Sequence, residues 1–543
     1  MTTRFRARSS FWLAYTNRNR SSLTLMTPEF RRFIGRRCTN GCLVLHVRRD
    51  EFTELVARWK QDFPNLKILR YARVQRLTDS PLVGGSFFDT AWENRYEWCI
   101  VLRNTGEPRY NDGLLWMNIT HAGFRAAIVQ HLADEVRNSG CDGLAIDSHH
   151  WDLAGPKPIK DGATLSANWQ AGAIAVLEEL KDELGLNYTI MFNGLWGFNG
   201  EEQAVKQAEM LDSADGIAVE FFGVDGHGQA GSDEPGAEWQ LFVGNLNTQL
   251  MAMGRGKYAS INGQRHSGVY ADYADDYAAG LYCYANFLLG PLDPKHGFHY
   301  GNFQCTKTAR ERSGGYDYFD FQDLHLGRRR KGLVKASVNG KSRRFERGIV
   351  LIAPTAGGIQ NFALDRTYYT MAGQPVGPGR RRVGAGTAEI LLAGRPTPPP
   401  ENLNVYAMSR TAGPKTEWMV QPVKSGWYRY KILNLRVRST DIDSTILARV
   451  EIDNGPITHG MVVIRPVSGT FIKTANDYPY SETPNGGATS EYASISYTTD
   501  DTWNNLSLKL DPTLGRTCYR IVSIRAVGKV QISLITLSGR TAI

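Results

Sequence analysis

The sequence predicts an α/β protein, a (β/α)8 TIM barrel followed by a small β domain and a C-terminal β-sandwich. Short apolar runs alternate with helical patterns from about residue 11 to residue 300, which is typical of parallel βα folds. The helical periodicity ends after residue 310, and a proline-rich segment precedes residues 403–543. A chain of 543 residues is long enough for two or three domains of roughly 100–150 residues each.

Eight apolar runs are candidate strands of the barrel. Eight strands in roughly 290 residues fit a (β/α)8 barrel, which ordinarily needs about 250, and a doubly wound sheet is the alternative. The candidate strands are Phe11–Thr16, Cys42–Val47, Leu66–Ala72, Gly143–Asp147, Tyr188–Asn193, Gly216–Phe221, Lys257–Asn262 and Cys283–Leu289.

Two intervening helices are the best defined. The first follows Thr120 as its expected N-cap, and the second ends at Gly185. The segment Trp92–Trp116, with a hairpin around Asn104-Thr105-Gly106, is expected to be an insertion after the third strand. The apolar residues at helical spacing are Phe124, Ile128, Leu132 and Val136 in the first helix and Trp169, Ala173, Val176, Leu180 and Leu184 in the second.

Beyond residue 310 the apolar runs are short and β-rich. We expect an N-terminal arm at 1–10, the barrel at 11–310, a small β domain at 311–395, a proline-rich linker at 396–402 and a β-sandwich at 403–543. Five aromatic residues of the sandwich are expected in its core or an interface, with a glycan platform as the alternative. These are Trp418, Trp427, Tyr428, Tyr430 and Trp503. The expected strands are Gly332–Val338, Gly348–Ile352 and Ala388–Leu392, then Trp427–Val437, Ile446–Ile452, Gly460–Ile464, Ser494–Thr498, Leu506–Leu510 and Val530–Leu537.

Composition excludes several classes of protein. Hydrophobic residues make up 42% of the chain, mean hydropathy is −0.35, and no run approaches the roughly 18 apolar residues of a membrane span. No signal peptide is seen. The net charge of +9 is mild for this length, and the run Arg328-Arg329-Arg330-Lys331 indicates a solvated loop rather than a nucleic-acid site. The pair Cys38 and Cys42 has no second Cys/His pair to complete a zinc site, so reduced thiols are expected.

Two predicted strands share a pattern and end in an acid. The run Asp142-Gly-Leu-Ala-Ile-Asp147 recurs in kind as Asp215-Gly-Ile-Ala-Val-Glu220. Because barrel strands end at the catalytic mouth and alternate strands contribute to one layer, Asp147 and Glu220 are expected to face one pocket. Two such carboxylates suffice for glycoside hydrolysis. The alternative is that Asp147 caps a helix or pairs with a basic residue, while Glu220 is an exposed loop acid. Asp142 and Asp215 are assigned to turns.

Aromatic, amide and basic residues follow the same strand ends, which suits a sugar pocket. A metal site built on the two histidines is disfavoured because adjacent residues point apart, and no cofactor is expected. The sequence has no nucleophile elbow or P-loop. The candidate substrate-binding residues are His149, His150, Trp151, Asn193, Trp196, Phe222, Asn262, Gln264 and Arg265.

Four stretches of the sequence resemble hypothetical glycosyl hydrolase family fifteen and, more distantly, the endo-α-1,4-polygalactosaminidases. The similarity covers roughly residues 11–390. The stretches are Leu115-Trp-Met-Asn-Ile-Thr-His-Ala-Gly-Phe-Arg, Gly140-Cys-Asp-Gly-Leu-Ala-Ile-Asp147, Ala214-Asp-Gly-Ile-Ala-Val-Glu220 and Phe345-Glu-Arg-Gly-Ile-Val-Leu-Ile-Ala-Pro354.

The resemblance implies a catalytic pair at the ends of strands four and six, which carries over to Asp147 and Glu220. By analogy with related α-galactosidase-like barrels, Asp147 is expected to be the nucleophile, or the base if the enzyme inverts, and Glu220 the general acid/base. Retention is expected on the family analogy. We therefore expect a glycoside hydrolase acting on a polysaccharide or cell-surface glycan. A non-catalytic glycan-binding virion protein is the alternative. The arrangement suits a phage tail or other virion location as well as the cytoplasm, and self-association or docking to other virion proteins is left open.

Overall fold

The computed structural model describes the strands and helices of the first 396 residues and the strands beyond them. The described residues are 8–9, 11–14, 31, 35, 38, 42–47, 49–78, 85–111, 113–153, 159–193, 201–219, 251–264, 273–290, 295–301, 320–330, 334–336, 340–354, 357–371 and 373–396, followed by the C-terminal strands given below.

One parallel sheet organises the N-terminal part of the chain. Strands β2, β3, β4, β8, β9, β10, β11 and β12 pair in that order, which is also their order in the sequence. The strands are β1 (Arg8–Ser9), β2 (Phe11–Ala14), β3 (Cys42–His46), β4 (Lys67–Arg73), β5 (Arg76–Thr78), β6 (Tyr110–Asn111), β7 (Leu114–Trp116), β8 (Gly143–Asp147), β9 (Thr189–Asn193), β10 (Gly216–Val219), β11 (Tyr258–Gln264) and β12 (His296–Gly301).

The first and last strands of this sheet are connected by hydrogen bonding. Strand β1 pairs with β12, and β2, which begins two residues after β1 ends, pairs with β3. A doubly wound sheet has a switch in strand order that this sheet lacks. The architecture is therefore TIM-barrel-like, and the doubly wound alternative is set aside.

Seven helices are described. Helix α4 (Ala122–Ser139) has His121 as its N-cap, and the Nδ1 atom of His121 accepts a hydrogen bond from the Phe124 amide at 3.2 Å. The expected N-cap at Thr120 is therefore wrong by one residue. The apolar faces predicted for α4 and α5 are buried, and α5 ends at Gly185 as expected. The helices are α1 (Arg49–Asp62), α2 (Gly85–Glu93), α3 (Arg95–Trp98), α4 (Ala122–Ser139), α5 (Gly162–Leu184), α6 (Glu201–Asp212) and α7 (Tyr273–Leu289), and a 3-10 turn covers Asp320–Asp323.

The expected eighth strand at Cys283–Leu289 is wrong, because this segment is the second half of α7 and the strand is β12. Every residue from 279 to 290 is buried. Helix α7 lies between the barrel sheet and the β-rich segment after residue 330, so both of its sides are apolar. A helix that is apolar all round has no amphipathic period, and its sequence cannot be distinguished from a buried strand.

The β-rich segment after residue 330 packs directly on the barrel. Val350, Ile352 and Ile390 belong to the same hydrophobic core as Tyr284 and Phe287 of α7. Its strands form a six-stranded sheet and a two-stranded sheet. They are β13 (Val334–Ala336), β14 (Gly340–Phe345), β15 (Gly348–Ala353), β16 (Gln360–Leu364), β17 (Tyr368–Tyr369), β18 (Pro375–Val376), β19 (Gly379–Val383) and β20 (Thr387–Leu392).

The C-terminal region is described as strands, which form two five-stranded sheets and a two-stranded sheet. Strands β24 to β29 and β31 overlap the expected ones, whereas β21, β22, β23, β30 and β32 were not expected from the sequence. The strands are β21 (Leu403–Tyr406), β22 (Arg410–Thr411), β23 (Thr416–Trp418), β24 (Tyr428–Arg429), β25 (Ile432–Ser439), β26 (Thr445–Ile452), β27 (Thr458–Pro466), β28 (Glu491–Tyr497), β29 (Asn504–Lys509), β30 (Tyr519–Val527), β31 (Val530–Ser538) and β32 (Thr541–Ala542).

An insertion follows β4, as the sequence predicts. Strands β5, β7 and β6 form a small antiparallel sheet in that order. The expected hairpin is confirmed, because Val101 pairs with Pro108 and the Gly106 amide donates to the Leu102 carbonyl at 2.9 Å.

Five cysteines are described; all of them are buried, and none forms a disulfide in the described part of the chain. The Cys38 sulfur lies 3.6 Å from the Cys42 carbonyl oxygen rather than in a disulfide. Burial raises the pKa of the Cys42 and Cys99 thiols to about 12, so both are protonated at neutral pH. Among the described helices, none combines the length and the apolar character that crossing a bilayer requires.

Candidate active site

Asp147 is the last residue of β8, at the carboxyl end of the barrel sheet. Side chains alternate along a strand, and Ala145 belongs to an apolar cluster drawn from successive strands of the barrel. Asp147 lies two residues further on and faces the same side. Its neighbours there also lie two residues beyond members of that cluster. They are His46 after Val44, Arg73 after Tyr71 and Asn193 after Met191.

Three side chains donate hydrogen bonds to the Asp147 carboxylate, which is 8% exposed. The Tyr71 hydroxyl donates to Oδ2. Arg73 donates to the same oxygen from Nε at 3.2 Å and from Nη2 at 3.1 Å. Asn193 Nδ2 donates to Oδ1 at 2.9 Å. Among the described residues, Oδ2 therefore receives three N–H or O–H groups and Oδ1 receives one.

This environment keeps Asp147 ionised. Burial acts to raise its pKa, but the charge of Arg73 and the hydrogen bonds from Tyr71 and Asn193 outweigh burial and hold the pKa below the usual aspartate value. Burial and the adjacent Asp147 charge raise the pKa of Tyr71 well above that of free tyrosine, so the phenol stays protonated and can donate. An ionised carboxylate that has one oxygen with remaining acceptor capacity can act as a nucleophile or a base, but not as a proton donor.

Tyr71, Arg73 and His46 are the parts of this site that sequence reasoning missed. The His46 ring stacks on Tyr71 with centroids 3.8 Å apart, and Arg73 Nε donates to the Tyr71 hydroxyl at 2.8 Å. A signal was present in the sequence. Residues 71 and 73 are polar residues at period two at the end of a predicted strand, which places both on one face.

The chain turns sharply after Asp147, and Ser148 has φ of 54° in the left-handed region. His149 is then fully buried, with Nε2 2.9 Å from the Ala173 carbonyl oxygen and its ring edge-on to Phe192. Burial lowers the pKa of His149 to about 4, so the ring is neutral. A fully buried ring does not meet a bound sugar, and we withdraw His149 from the expected substrate-binding residues.

Gln75 holds the next residue, His150, through its main chain. The His150 amide donates to Gln75 Oε1 at 3.0 Å, and Gln75 Nε2 donates to the His150 carbonyl at 2.7 Å. Trp151 is half-buried, and the Lys206 ammonium lies 4.5 Å from the centre of its ring. The main chain of His150 is therefore held by a residue that closely follows β4, and the Trp151 ring packs against the main hydrophobic core.

The remaining expected site residues are described in part or not at all. Asn193 contacts Asp147 directly. Asn262 and Gln264 lie on β11, opposite His299 and Gly301 of β12, and their backbones alone are described. The expected acid/base and three expected binding residues lie outside the described residues. These are Glu220, Trp196, Phe222 and Arg265.

Asp142 and Asp215 lie at the opposite end of the barrel, and they make equivalent hydrogen bonds. Asp142 accepts hydrogen bonds from the Lys60 ammonium at 2.8 Å and the Ile68 amide at 2.7 Å. Asp215 accepts from the Lys181 ammonium at 2.7 Å and the Ile190 amide at 2.9 Å. Each acid thus joins the start of its strand to a helix and a neighbouring strand, as the assignment to turns anticipated.

A model of the family described as hypothetical glycosyl hydrolase family 15 matches residues 60–349, just over half of the chain. No protein of curated function matches the sequence.

Three similar solved structures are the glycoside hydrolase domain of PelA from Pseudomonas aeruginosa, the maltogenic α-amylase AmyB from Thermotoga neapolitana and the α-amylase from Geobacillus thermoleovorans. The first is 14% identical, with a TM-score of 0.34, and the alignment covers 55% of this chain and 96% of that one. The second is 11% identical, with a TM-score of 0.41 and coverages of 71% and 98%. The third is 9% identical, with a TM-score of 0.40 and the same coverages.

Proposed function

This chain belongs to hypothetical glycosyl hydrolase family 15, and from that premise we propose that it is a glycoside hydrolase in which Asp147 is the nucleophile. The observation that carries the proposal is the ionised Asp147 at the carboxyl end of the barrel sheet. The polar groups around it, Tyr71, Arg73 and Asn193, come from two other strands. A barrel places catalytic groups from several strand ends in one mouth.

The two carboxylate oxygens of Asp147 accept different numbers of hydrogen bonds, and we assign them different roles. Oδ2 accepts the Tyr71 hydroxyl and two N–H groups of Arg73, whereas Oδ1 accepts only Asn193 among the described residues. A carboxylate has about four lone-pair sites. In our proposal Oδ1 attacks the anomeric carbon, while Tyr71 and Arg73 orient the carboxylate. In an inverting enzyme the same oxygen would instead take a proton from water.

We propose Glu220 as the general acid/base. Ala218 of β10 belongs to the same apolar cluster as Ala145, and its register partner Asn193 contacts Asp147. Alternation along the strand predicts that residue 220 follows the side of residue 218. A carboxylic acid there would protonate the leaving oxygen and then deprotonate the incoming water, which is the retaining course we propose.

We further propose a substrate class, a domain division and a location for the protein. The substrate is a polysaccharide or cell-surface glycan. Residues 403–543 fold as an autonomous β-sandwich, residues 311–395 form the small β domain, and the protein works in a virion or in the cytoplasm. A glycan-binding virion protein without catalysis is the second candidate. Its supporting feature is the β-rich C-terminal region with two five-stranded sheets.

Product analysis tests the proposal. The full chain is incubated with a panel of bacterial surface polysaccharides and plant and fungal glycans at several pH values, and the products are resolved by mass spectrometry. New reducing ends on at least one glycan are the expected result. Glycans that bind and stay intact after long incubation would favour the binding protein and overturn the enzyme assignment.

A further inference from the structure

Three side chains form a row across the small antiparallel sheet of β5, β7 and β6, which follows strand β4 beside the candidate active site. Arg76 of β5 is the register partner of Trp116 on β7, and the Trp116 amide donates to the Arg109 carbonyl at 3.0 Å. Trp116 therefore has one arginine as its neighbour on each side. The Cζ atom of Arg76 lies 4.1 Å from the centre of the Trp116 ring, and that of Arg109 lies 3.6 Å from it.

The two guanidinium groups have N–H donors without acceptors among the described residues. Arg109 is 6% exposed, and its Nε and Nη1 atoms are buried with no acceptor there. Arg76 is half-buried, and its Nε atom likewise has no acceptor. Within the described part of the chain, neither arginine forms an ion pair with a carboxylate. Buried N–H donors without acceptors cost free energy, and stacking on an aromatic ring offsets only part of that cost.

The row also lies in a region of concentrated positive charge. Burial, and then repulsion from Arg73 and Arg109, lowers the pKa of Arg76, while Asp147 and Asp152 act in the opposite direction. Arg76 follows Arg73 by three residues, so their Cα atoms are at most about 11 Å apart. The intervening Gln75 is bound to the His150 main chain. Through Gln75, the three side chains are thus connected to the end of the barrel at which Asp147 lies.

We propose that Arg76 and Arg109, braced by Trp116, form a subsite for an anionic group on the glycan, so that the substrate of this enzyme is an acidic polysaccharide. This inference rests on the proposed function, since it names the substrate class of the same mouth. A guanidinium presents parallel N–H groups that match the two oxygens of a carboxylate or of an acidic ester. The Trp116 ring holds the guanidinium planes. The half-buried Arg76 presents its guanidinium to the ligand, and the more enclosed Arg109 adds positive charge beside it.

Binding to matched acidic and neutral oligosaccharides tests the subsite. The full chain carrying Asp147→Asn, which prevents turnover, is titrated with oligogalacturonate and oligomannuronate and with their methyl esters. Oligosaccharides of chondroitin sulfate and their desulfated forms distinguish a sulfate ester from a carboxylate. We expect at least one acidic member to bind about tenfold or more tightly than its neutral counterpart. Equal affinity within every pair would overturn the proposal.

Arginine variants then locate the preference. Arg109→Gln and Arg76→Gln should abolish the difference between acidic and neutral members, whereas Arg95→Gln should retain it. Arg95 is a matched control because its guanidinium also packs on aromatic rings of the insertion, 4.8 Å from Trp92 and from Tyr96. A preference that survives both substitutions would overturn the subsite. The methyl-ester comparison needs no arginine variant, so the proposal stays testable if a variant fails to fold.

The two proposals can fail separately. Cleavage of a neutral glycan with no acidic preference in binding would refute the acidic subsite and leave the hydrolase assignment standing. An acidic preference that requires Arg109, without cleavage of any glycan by the unmodified chain, would support the subsite and refute the hydrolase.

Discussion

The guanidinium of Arg73 binds the Oδ2 atom of Asp147 through two N–H groups, Nε at 3.2 Å and Nη2 at 3.1 Å. The charge of Arg73 is the main influence that lowers the pKa of Asp147 against the effect of burial. The nucleophile proposed here is therefore ready for attack without first losing a proton, even in mildly acidic solution.

Replacing Arg73 should move the acid limb of the pH–rate profile. Arg73→Gln removes the positive charge, so the pKa of Asp147 rises and the loss of kcat/KM on acidification begins at a higher pH. We also expect kcat to fall by about tenfold to a hundredfold, because the carboxylate loses its orientation. The measurement is kcat/KM against pH on the first glycan that is cleaved.

Tyr71→Phe is the matched comparison for that experiment. It removes a neutral hydrogen-bond donor from the same oxygen and leaves the guanidinium in place. The acid limb should move in the same direction but by less than in Arg73→Gln. An acid limb that stays in place in both variants would show that these groups do not control the protonation of Asp147.

Stability should depend on pH through His149. The pKa of this buried ring is about 4 in the folded protein, against about 6.5 when unfolded, so the unfolded chain binds the proton more readily. The free energy of unfolding should fall by about 3 kcal/mol as the pH drops from about 6.5 towards 4. In His149→Gln, urea midpoints measured across this interval should fall less steeply. Equal slopes in both proteins would contradict the neutral, buried ring.

Gly143, the glycine of the first acid-glycine pattern, should be required for stability because no larger residue fits there. A Cβ atom on Gly143, which has φ of 145°, would lie 1.9 Å from the Thr189 carbonyl oxygen. Gly143→Ala should therefore lower the free energy of unfolding by more than about 3 kcal/mol. Gly254→Ala is the control, because a Cβ there meets no atom within 4 Å. Thermal unfolding of both variants checks the difference, and similar midpoints would refute the close approach.

The barrel was predictable because its strand ends carry strong local signals, whereas α7 was not. Strands β3, β4, β8 and β9 are short apolar runs bounded by polar residues, and the structure places them within one or two residues of expectation. Helix α7 is buried on both sides by tertiary packing that no local pattern reports. Because residues 283–289 are buried on all sides, their sequence is a nearly continuous apolar run, and such a run also predicts a strand.

The candidate site was predictable only where a residue type carries chemistry by itself. Asp147 was identified because it is an acid at the end of a strand. Tyr71 and Arg73 were missed because their roles depend on the pairing of β4 with β8, which brings residues 73 and 147 into register. His149 was placed in the pocket because of its sequence position, but the turn at Ser148 carries its ring into the core.

The opposite end of β8 provides a control for the role of Asp147. Asp142 binds Lys60 and the Ile68 amide, far along the strand from Asp147. Asp142→Asn should lower stability by about 1–3 kcal/mol, since a hydrogen-bonded ion pair is lost. It should leave kcat unchanged, which a rate measurement below the unfolding temperature can establish.

The most direct test of the account compares the rates of Asp147→Asn and Asp142→Asn on one cleaved glycan. The two variants carry the same change at the two ends of one strand. If Asp147 is the nucleophile, Asp147→Asn loses at least about a thousandfold in kcat while keeping a cooperative unfolding transition, and Asp142→Asn turns over at the rate of the unmodified chain. A well-folded Asp147→Asn protein that retains its rate within about tenfold would contradict the account.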